Sequence, residues 1–111
     1  LNKIAVIGLG YVGLPLAYEF SKVHDCIGYD TSKKRILELK KGVDKTEEYS
    51  KEDILESKLI FTNNEKDLKD HDYYIITVPT PLKKNNKPDL KPLKLASKIV
   101  GKYINKGSTV I

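Results

Sequence analysis

The 111-residue sequence holds no methionine, no tryptophan, one cysteine and one arginine. Each scarcity excludes something. The lone Cys26 has no internal disulfide partner, and with only two scattered histidines, His24 and His71, it gives no zinc-ligand spacing. No apolar run approaches the roughly 18 to 20 residues that a membrane span requires, and the opening run, Ile4 to Leu9, is far too short for the core of a secretory signal. A cytoplasmic protein without a membrane partner is therefore expected. The formal charge is +5, yet the basic residues are almost all dispersed lysines, with Arg35 the single arginine. Phosphate and base recognition favours clustered arginine forks, so nucleic acid is not an expected partner. Hydrophobic residues at 40% and charged residues at 32% make an ordinary globular balance rather than a disordered one. The length allows one compact domain. The missing methionine, and a last stretch, Ser108 to Ile111, that reads as a strand without a turn after it, lead us to expect that residues 1–111 are an excised piece of a longer chain.

What is present alternates short apolar runs with helical patterns. Lys3 to Ile7 reads as a buried strand stopped by Gly8, and Tyr11 to Val23 as a helix with Val12, Leu16, Phe20 and Val23 on its stripe, widened by Leu14 and Ala17. Pro15 fits the first turn of that helix, where the backbone N–H groups lack partners anyway. Cys26 to Tyr29 is a second strand, ending at Asp30. Thr31 or Ser32 can cap a second helix that carries Ile36, Leu37 and Leu39 and stops at Gly42. Val43 to Lys51 is polar and shows no period; a short helix around Asp53 to Ser57 follows it. Leu59 to Thr62 and Tyr73 to Val78 read as the third and fourth strands, with a brief helical turn near Leu68 between them. The proline-rich stretch from Pro79 to Pro92 must be a loop, with an exposed tip at Lys83 to Asn86. Leu93 to Ile104 is a last amphipathic helix, and Thr109 to Ile111 a fifth strand. Short apolar strands separated by helices call for parallel pairing with right-handed crossovers. The expected fold is a doubly wound α/β domain, Rossmann-like, with a parallel sheet between two helical layers.

Gly8-Leu9-Gly10-Tyr11-Val12-Gly13 fits the G-x-G-x-x-G pattern, and its context gives it weight. It follows a strand, opens a helix, and is followed by an acidic residue, Asp30, at the end of the next strand. Gly8 suits the tight turn out of the strand, Gly10 a close approach of pyrophosphate to the backbone, and Gly13 a close approach of helix to sheet. Free N–H groups and the positive end of the helix dipole attract phosphate, so the turn needs no lysine. Asp30 is placed to accept hydrogen bonds from both adenosine ribose hydroxyls, and its charge repels a 2′-phosphate, which favours NAD over NADP. Lys33, Lys34 and Arg35 close behind oppose that preference, since any of them can pair with such a phosphate.

The run GLGYVGLPLA from Gly8 to Ala17, with Asp30, Arg35, the VPTP element at Val78 to Pro81 and Pro88-Asp89-Leu90, resembles the UDP-glucose and GDP-mannose 6-dehydrogenase superfamily. The likeness covers essentially the whole chain, as the N-terminal NAD-binding domain of such an oxidoreductase, and looks most like the UDP-N-acetylhexosamine 6-dehydrogenases of surface polysaccharide synthesis. The resemblance implies oxidation of a sugar C6 alcohol to a carboxylate with two NAD⁺ and a cysteine-bound intermediate. It also implies that the backbone of Tyr11 and Val12 meets the pyrophosphate, that Asp30 and Arg35 hold the adenosine ribose, and that Val78, Pro79 and Thr80 meet the cofactor. The catalytic residues of the family and the pocket that selects the sugar are expected outside this chain. The full-length enzyme is expected to be a homo-oligomer and this domain alone monomeric. Two other readings share the glycine turn: a non-catalytic NAD- or nucleotide-sensing module, and a different NAD-dependent dehydrogenase. Cys26, at the start of the second strand, is expected to be a buried structural thiol.

Overall fold

A computed structural model describes residues 2–111. The elements follow in the order β1 (Lys3–Ile7), α1 (Gly13–Ser21), β2 (Asp25–Tyr29), α2 (Lys33–Lys40), α3 (Lys51–Glu56), β3 (Ile60–Thr62), β4 (Tyr73–Ile76), α4 (Lys91–Tyr103) and β5 (Thr109–Val110), with a 3₁₀ turn at Glu65–Leu68. The strands form one five-stranded sheet in the order β3-β2-β1-β4-β5. Every neighbouring pair is parallel.

The alternation along β1 explains the layers. Ile4 and Val6 point into one core with Leu14 and Ala17 of α1, Ile36 and Leu39 of α2, and Ile54 of α3. Ala5 and Ile7 point into the other, with Leu68 of the 3₁₀ turn and Ala96, Ile99 and Val100 of α4. A central strand apolar on both faces is what a doubly covered parallel sheet requires. Each fully buried Leu or Ile in these layers contributes about 1.5–3 kcal/mol relative to exposure. No helix among the described residues is long and apolar enough to cross a membrane.

Local chemistry sets the boundaries. Of the two possible caps for α2, Ser32 is used: its hydroxyl accepts the Arg35 N–H at 3.1 Å. Ser50 and Asp53 close a capping box on α3, which starts it at Lys51 rather than near Asp53. Helix α1 is shorter at both ends than its apolar pattern suggests. Val12 lies just before it and Val23 beyond it, and the two are 67% and 64% exposed, so neither belongs to the buried stripe. Leu37 is likewise half exposed, leaving Ile36 and Leu39 to seat α2. Strand β4 stops at Ile76, not Val78, because Thr77 turns inward and its hydroxyl bonds the carbonyls of Ile7 and Gly8. Helix α4 begins two residues before Leu93, with Pro92 in its first turn. The segment before α4 is a small hairpin: Leu82 bridges Pro88, and Lys83 N–H donates to the Lys87 carbonyl at 2.8 Å.

Candidate cofactor site

The strand order reverses between β1 and β4, and chains leaving their carboxyl ends diverge there, which leaves a crevice. A cleft of about 940 Å³ occupies this position. The glycine turn after β1 forms its floor, Asp30 and Arg35 one wall, and Val78, Pro79 and Thr80 with the first turns of α4 the other. Of the ten residues assigned to the cofactor from sequence, Gly8, Gly10, Tyr11, Val12, Asp30, Arg35, Val78, Pro79 and Thr80 line the cleft. Gly13 lies behind the floor and is buried.

The three glycines do different work. Gly8 has φ +100°, a left-handed conformation that disfavours side chains, and a Cβ there would lie 3.0 Å from the Thr77 and Val78 backbone. At Gly13 a Cβ would overlap the Gly8 carbonyl oxygen and crowd the Thr77 hydroxyl at 2.5 Å. Gly10 is unlike both: its φ is not left-handed, and a Cβ would meet nothing within 4 Å. Neither backbone strain nor packing requires glycine at that position.

Leu9, between the first two glycines, is the anchor of the turn and was not singled out by the motif. Its side chain is 1% exposed and lies over Gly28 of β2, where a Cβ would meet a Leu9 methyl at 2.9 Å. Its N–H donates to Asp30 Oδ2 at 2.9 Å, and its carbonyl accepts from Arg35 Nε at 2.9 Å. The wall of the cleft therefore grips the floor from both sides of one residue. A glycine inside an apolar strand, Gly28, was the available sequence signal for such a close approach.

Asp30 is held as an acceptor. Its other oxygen takes the Ser32 N–H at 2.9 Å. Two backbone donors fix the carboxylate plane while each oxygen keeps a further lone pair for a ligand hydroxyl. The extension of the parallel ladder places it: Gly8 N–H donates to the Tyr29 carbonyl at 2.8 Å and Asp30 N–H to the Thr62 carbonyl at 3.2 Å.

The start of α1 carries no side-chain cap and no acidic residue in its first turn. Pro15 has no N–H, and Leu14 and Leu16 donate to the carbonyls of Gly10 at 3.1 Å and Val12 at 3.3 Å, which leaves the N–H groups of Tyr11, Val12 and Gly13 without a partner among the described residues for an outside anion. The adjoining Tyr11 and Val12 side chains are exposed apolar surface at the mouth. Of Lys33, Lys34 and Arg35, only Arg35 lines the cleft. The lysines are solvent-facing at the start of α2. Arg35 is committed elsewhere: besides the Leu9 carbonyl it pairs with Asp44 Oδ1 at 3.1 Å, and its Nη2 is buried with no hydrogen-bond partner among the described residues.

The thiol of Cys26 is buried, and burial pushes its pKa up to about 12. It is the second residue of β2, at the opposite end of that strand from Asp30, and its burial and raised pKa disfavour the nucleophilic thiolate. His71 and Tyr74 sit far along the chain from the turn and form a packed pair below α4, with the Tyr74 hydroxyl on the Leu68 carbonyl at 2.6 Å. Those residues serve packing.

A parallel 3-2-1-4-5 sheet with a glycine turn, an uncapped helix start and a fixed acid at its switch point is a dinucleotide-binding domain. The chain belongs to the UDP-glucose/GDP-mannose dehydrogenase family, whose NAD binding domain it matches over residues 2–111. It is 51% identical over 110 residues to a UDP-N-acetyl-D-glucosamine 6-dehydrogenase of Salmonella typhi, covering 98% of this chain and 26% of that protein. The enzyme of the same name from Pseudomonas aeruginosa is 48% identical over 110 residues, covering 98% of this chain and 26% of its own. Among solved structures, a UDP-D-ManNAc dehydrogenase from Pyrococcus horikoshii superposes with a TM-score of 0.89 at 36% identity, covering 97% of this chain and 27% of that one. The chain thus spans about a quarter of the length of these relatives. NAD is the cofactor of the family domain.

Proposed function

We propose that this chain is the cofactor domain of a UDP-sugar 6-dehydrogenase, with a UDP-N-acetylhexosamine as the substrate of the complete enzyme. Gly10 carries the assignment of the cleft to the cofactor. Gly10 lines the cleft beside the start of α1, and the open space over its Cα leaves room for pyrophosphate to approach the backbone. The backbone N–H groups of Tyr11, Val12 and Gly13, at the positive end of α1, hold the pyrophosphate by charge and direct hydrogen bonds. Asp30 takes the adenosine ribose hydroxyls with its free lone pairs, and Arg35 steadies the turn beneath them. Val78, Pro79 and Thr80 form the opposite lip, a rigid exit from β4 that orients the far end of the cofactor. When bound, NAD⁺ supplies a hydride acceptor, and oxidation of a C6 alcohol to a carboxylate needs two such acceptors. The residues that hold the sugar and carry the acyl intermediate lie outside this chain, and the complete enzyme is a homo-oligomer of the cytoplasm. Identities near one half to UDP-N-acetylglucosamine enzymes support the substrate class over a sensing module or an unrelated dehydrogenase.

The test is Asp30→Ala. Calorimetric titration should show weaker NAD⁺ binding and a relaxed preference against NADP⁺, because both the ribose acceptor and the repelling charge are gone. Unchanged selectivity would remove Asp30 from the site.

A further inference from the structure

Asp44 lies in the polar segment between α2 and α3 that shows no period in the sequence, and it does not line the cleft. Its side chain is nevertheless completely buried and takes five hydrogen bonds. Oδ1 accepts from Arg35 Nη1 at 3.1 Å, from Thr46 N–H at 3.0 Å and from the Thr46 hydroxyl at 2.6 Å. Oδ2 accepts from the N–H groups of Glu48 at 3.0 Å and Tyr49 at 3.2 Å. Burial alone would push this carboxyl up; the hydrogen bonds from Thr46, Arg35 and Tyr49 outweigh it and hold the group below the ordinary aspartate value. Asp44 is therefore a fixed negative charge against the cation of the cleft wall.

We propose that Asp44 sets the cofactor preference of this domain from outside the cleft, by neutralising and immobilising Arg35 so that it braces the Leu9 carbonyl and does not pair with a 2′-phosphate. The inference rests on the cofactor reading given above. An arginine recognises phosphate with a free fork of donors, and here Nε is spent on Leu9 and Nη1 on Asp44, while Nη2 is buried without a partner among the described residues and so is not presented to solvent. The two dinucleotides differ by one phosphate, so an uncompensated guanidinium at this wall favours NADP⁺. Removing one partner of a buried ion pair creates that uncompensated charge. Asp30 repels the phosphate directly, while Asp44 cancels the cation that would attract it.

Calorimetry with NAD⁺ and NADP⁺ on the wild type, Asp44→Asn, Thr46→Val, Arg35→Gln and the Arg35→Gln/Asp44→Asn double variant tests this. The readout is the ratio of the NADP⁺ to the NAD⁺ dissociation constant. Asp44→Asn should lower it at least about threefold at low salt, the effect expected of one unit charge at screened distance. Thr46→Val strips a hydrogen bond from the carboxylate but keeps its charge, and should leave the ratio unchanged. The double variant should return it to within about twofold of wild type, since the opposite charges leave together. Should Asp44→Asn fail to fold, Arg35→Gln alone serves: it leaves the Asp44 charge uncompensated and should raise the ratio at least about threefold. Equal ratios in wild type and every charge variant, or the same shift in Thr46→Val, would reduce Asp44 to a loop-shaping residue and overturn the inference alone. A folded wild type that binds neither dinucleotide overturns the cofactor reading and this inference with it.

Discussion

Gly10 and Gly13 are three residues apart in one motif, yet substitution by alanine should separate stability from binding. At position 13 the new methyl overlaps the Gly8 carbonyl oxygen and lies 2.5 Å from the Thr77 hydroxyl, and the first of these neighbours is backbone. Helix α1 must then move off the turn or the turn must open. Overpacking of ordinary severity costs about 1–3 kcal/mol, and a direct overlap with main chain belongs at or above the top of that range. For a domain of this size about 3 kcal/mol lowers the melting temperature by roughly 12 °C. At position 10 the methyl points into open space from an ordinary backbone conformation. Alanine there restricts the unfolded chain and should stabilise by about 0.4–1 kcal/mol. NAD⁺ affinity should nonetheless fall at least about tenfold, since the methyl occupies the approach of the pyrophosphate. Thermal melts by circular dichroism and calorimetric NAD⁺ titrations on both variants give the comparison. Gly10→Ala melting as low as Gly13→Ala, or binding NAD⁺ as wild type does, would refute the reasoning.

Thr77→Val removes the hydroxyl that donates to the Gly8 carbonyl at 2.7 Å and the Ile7 carbonyl at 3.1 Å. It should cost about 1–2 kcal/mol in urea unfolding, while the control Thr80→Val, exposed on the cleft lip, changes stability by less than about 0.5 kcal/mol. His71 is buried against the Leu68 carbonyl, and burial, opposed in part by that carbonyl, holds its pKa below the ordinary 6.5. The folded state then binds its proton at lower pH than the unfolded chain does. Its contribution to stability is intact above about pH 6.5 and is lost as pH falls through the interval below it. Urea midpoints at pH 7.5 and 5.5 should drop more in wild type than in His71→Gln; equal drops would assign the acid sensitivity to other groups.

The sequence was most legible where one physical demand dominates. Strands β1 and β4 are apolar runs that a doubly covered sheet needs, and the glycine spacing with Asp30 marks the position of the cleft. It was least legible where buried polar side chains organise irregular backbone. Asp44 sits in a stretch without hydrophobic period, and its role depends on donors contributed by Arg35 and by three neighbours in its own loop. Leu9 and Gly28 are a matched pair, a bulky side chain and the gap that receives it, 19 positions apart. Arg35, suited by type to a 2′-phosphate, faces inward because Leu9 and Asp44 outcompete solvent for its donors. The helix boundaries shifted for a related reason: Val12 and Val23 match the apolar spacing of α1, but one lies on the mouth of the cleft and the other beyond the last turn.

The central claim is that the switch-point cleft of this chain binds NAD⁺ by its glycine turn and Asp30. Amide NMR of the isotope-labelled domain, titrated in turn with NAD⁺, NADP⁺ and UDP-N-acetylglucosamine, tests it residue by residue. The account predicts shifts with NAD⁺ centred on Gly8 to Gly13 and Asp30, weaker ones with NADP⁺, and little with the sugar nucleotide. A folded sample whose glycine-turn amides do not respond to NAD⁺, or whose response centres elsewhere, would contradict it.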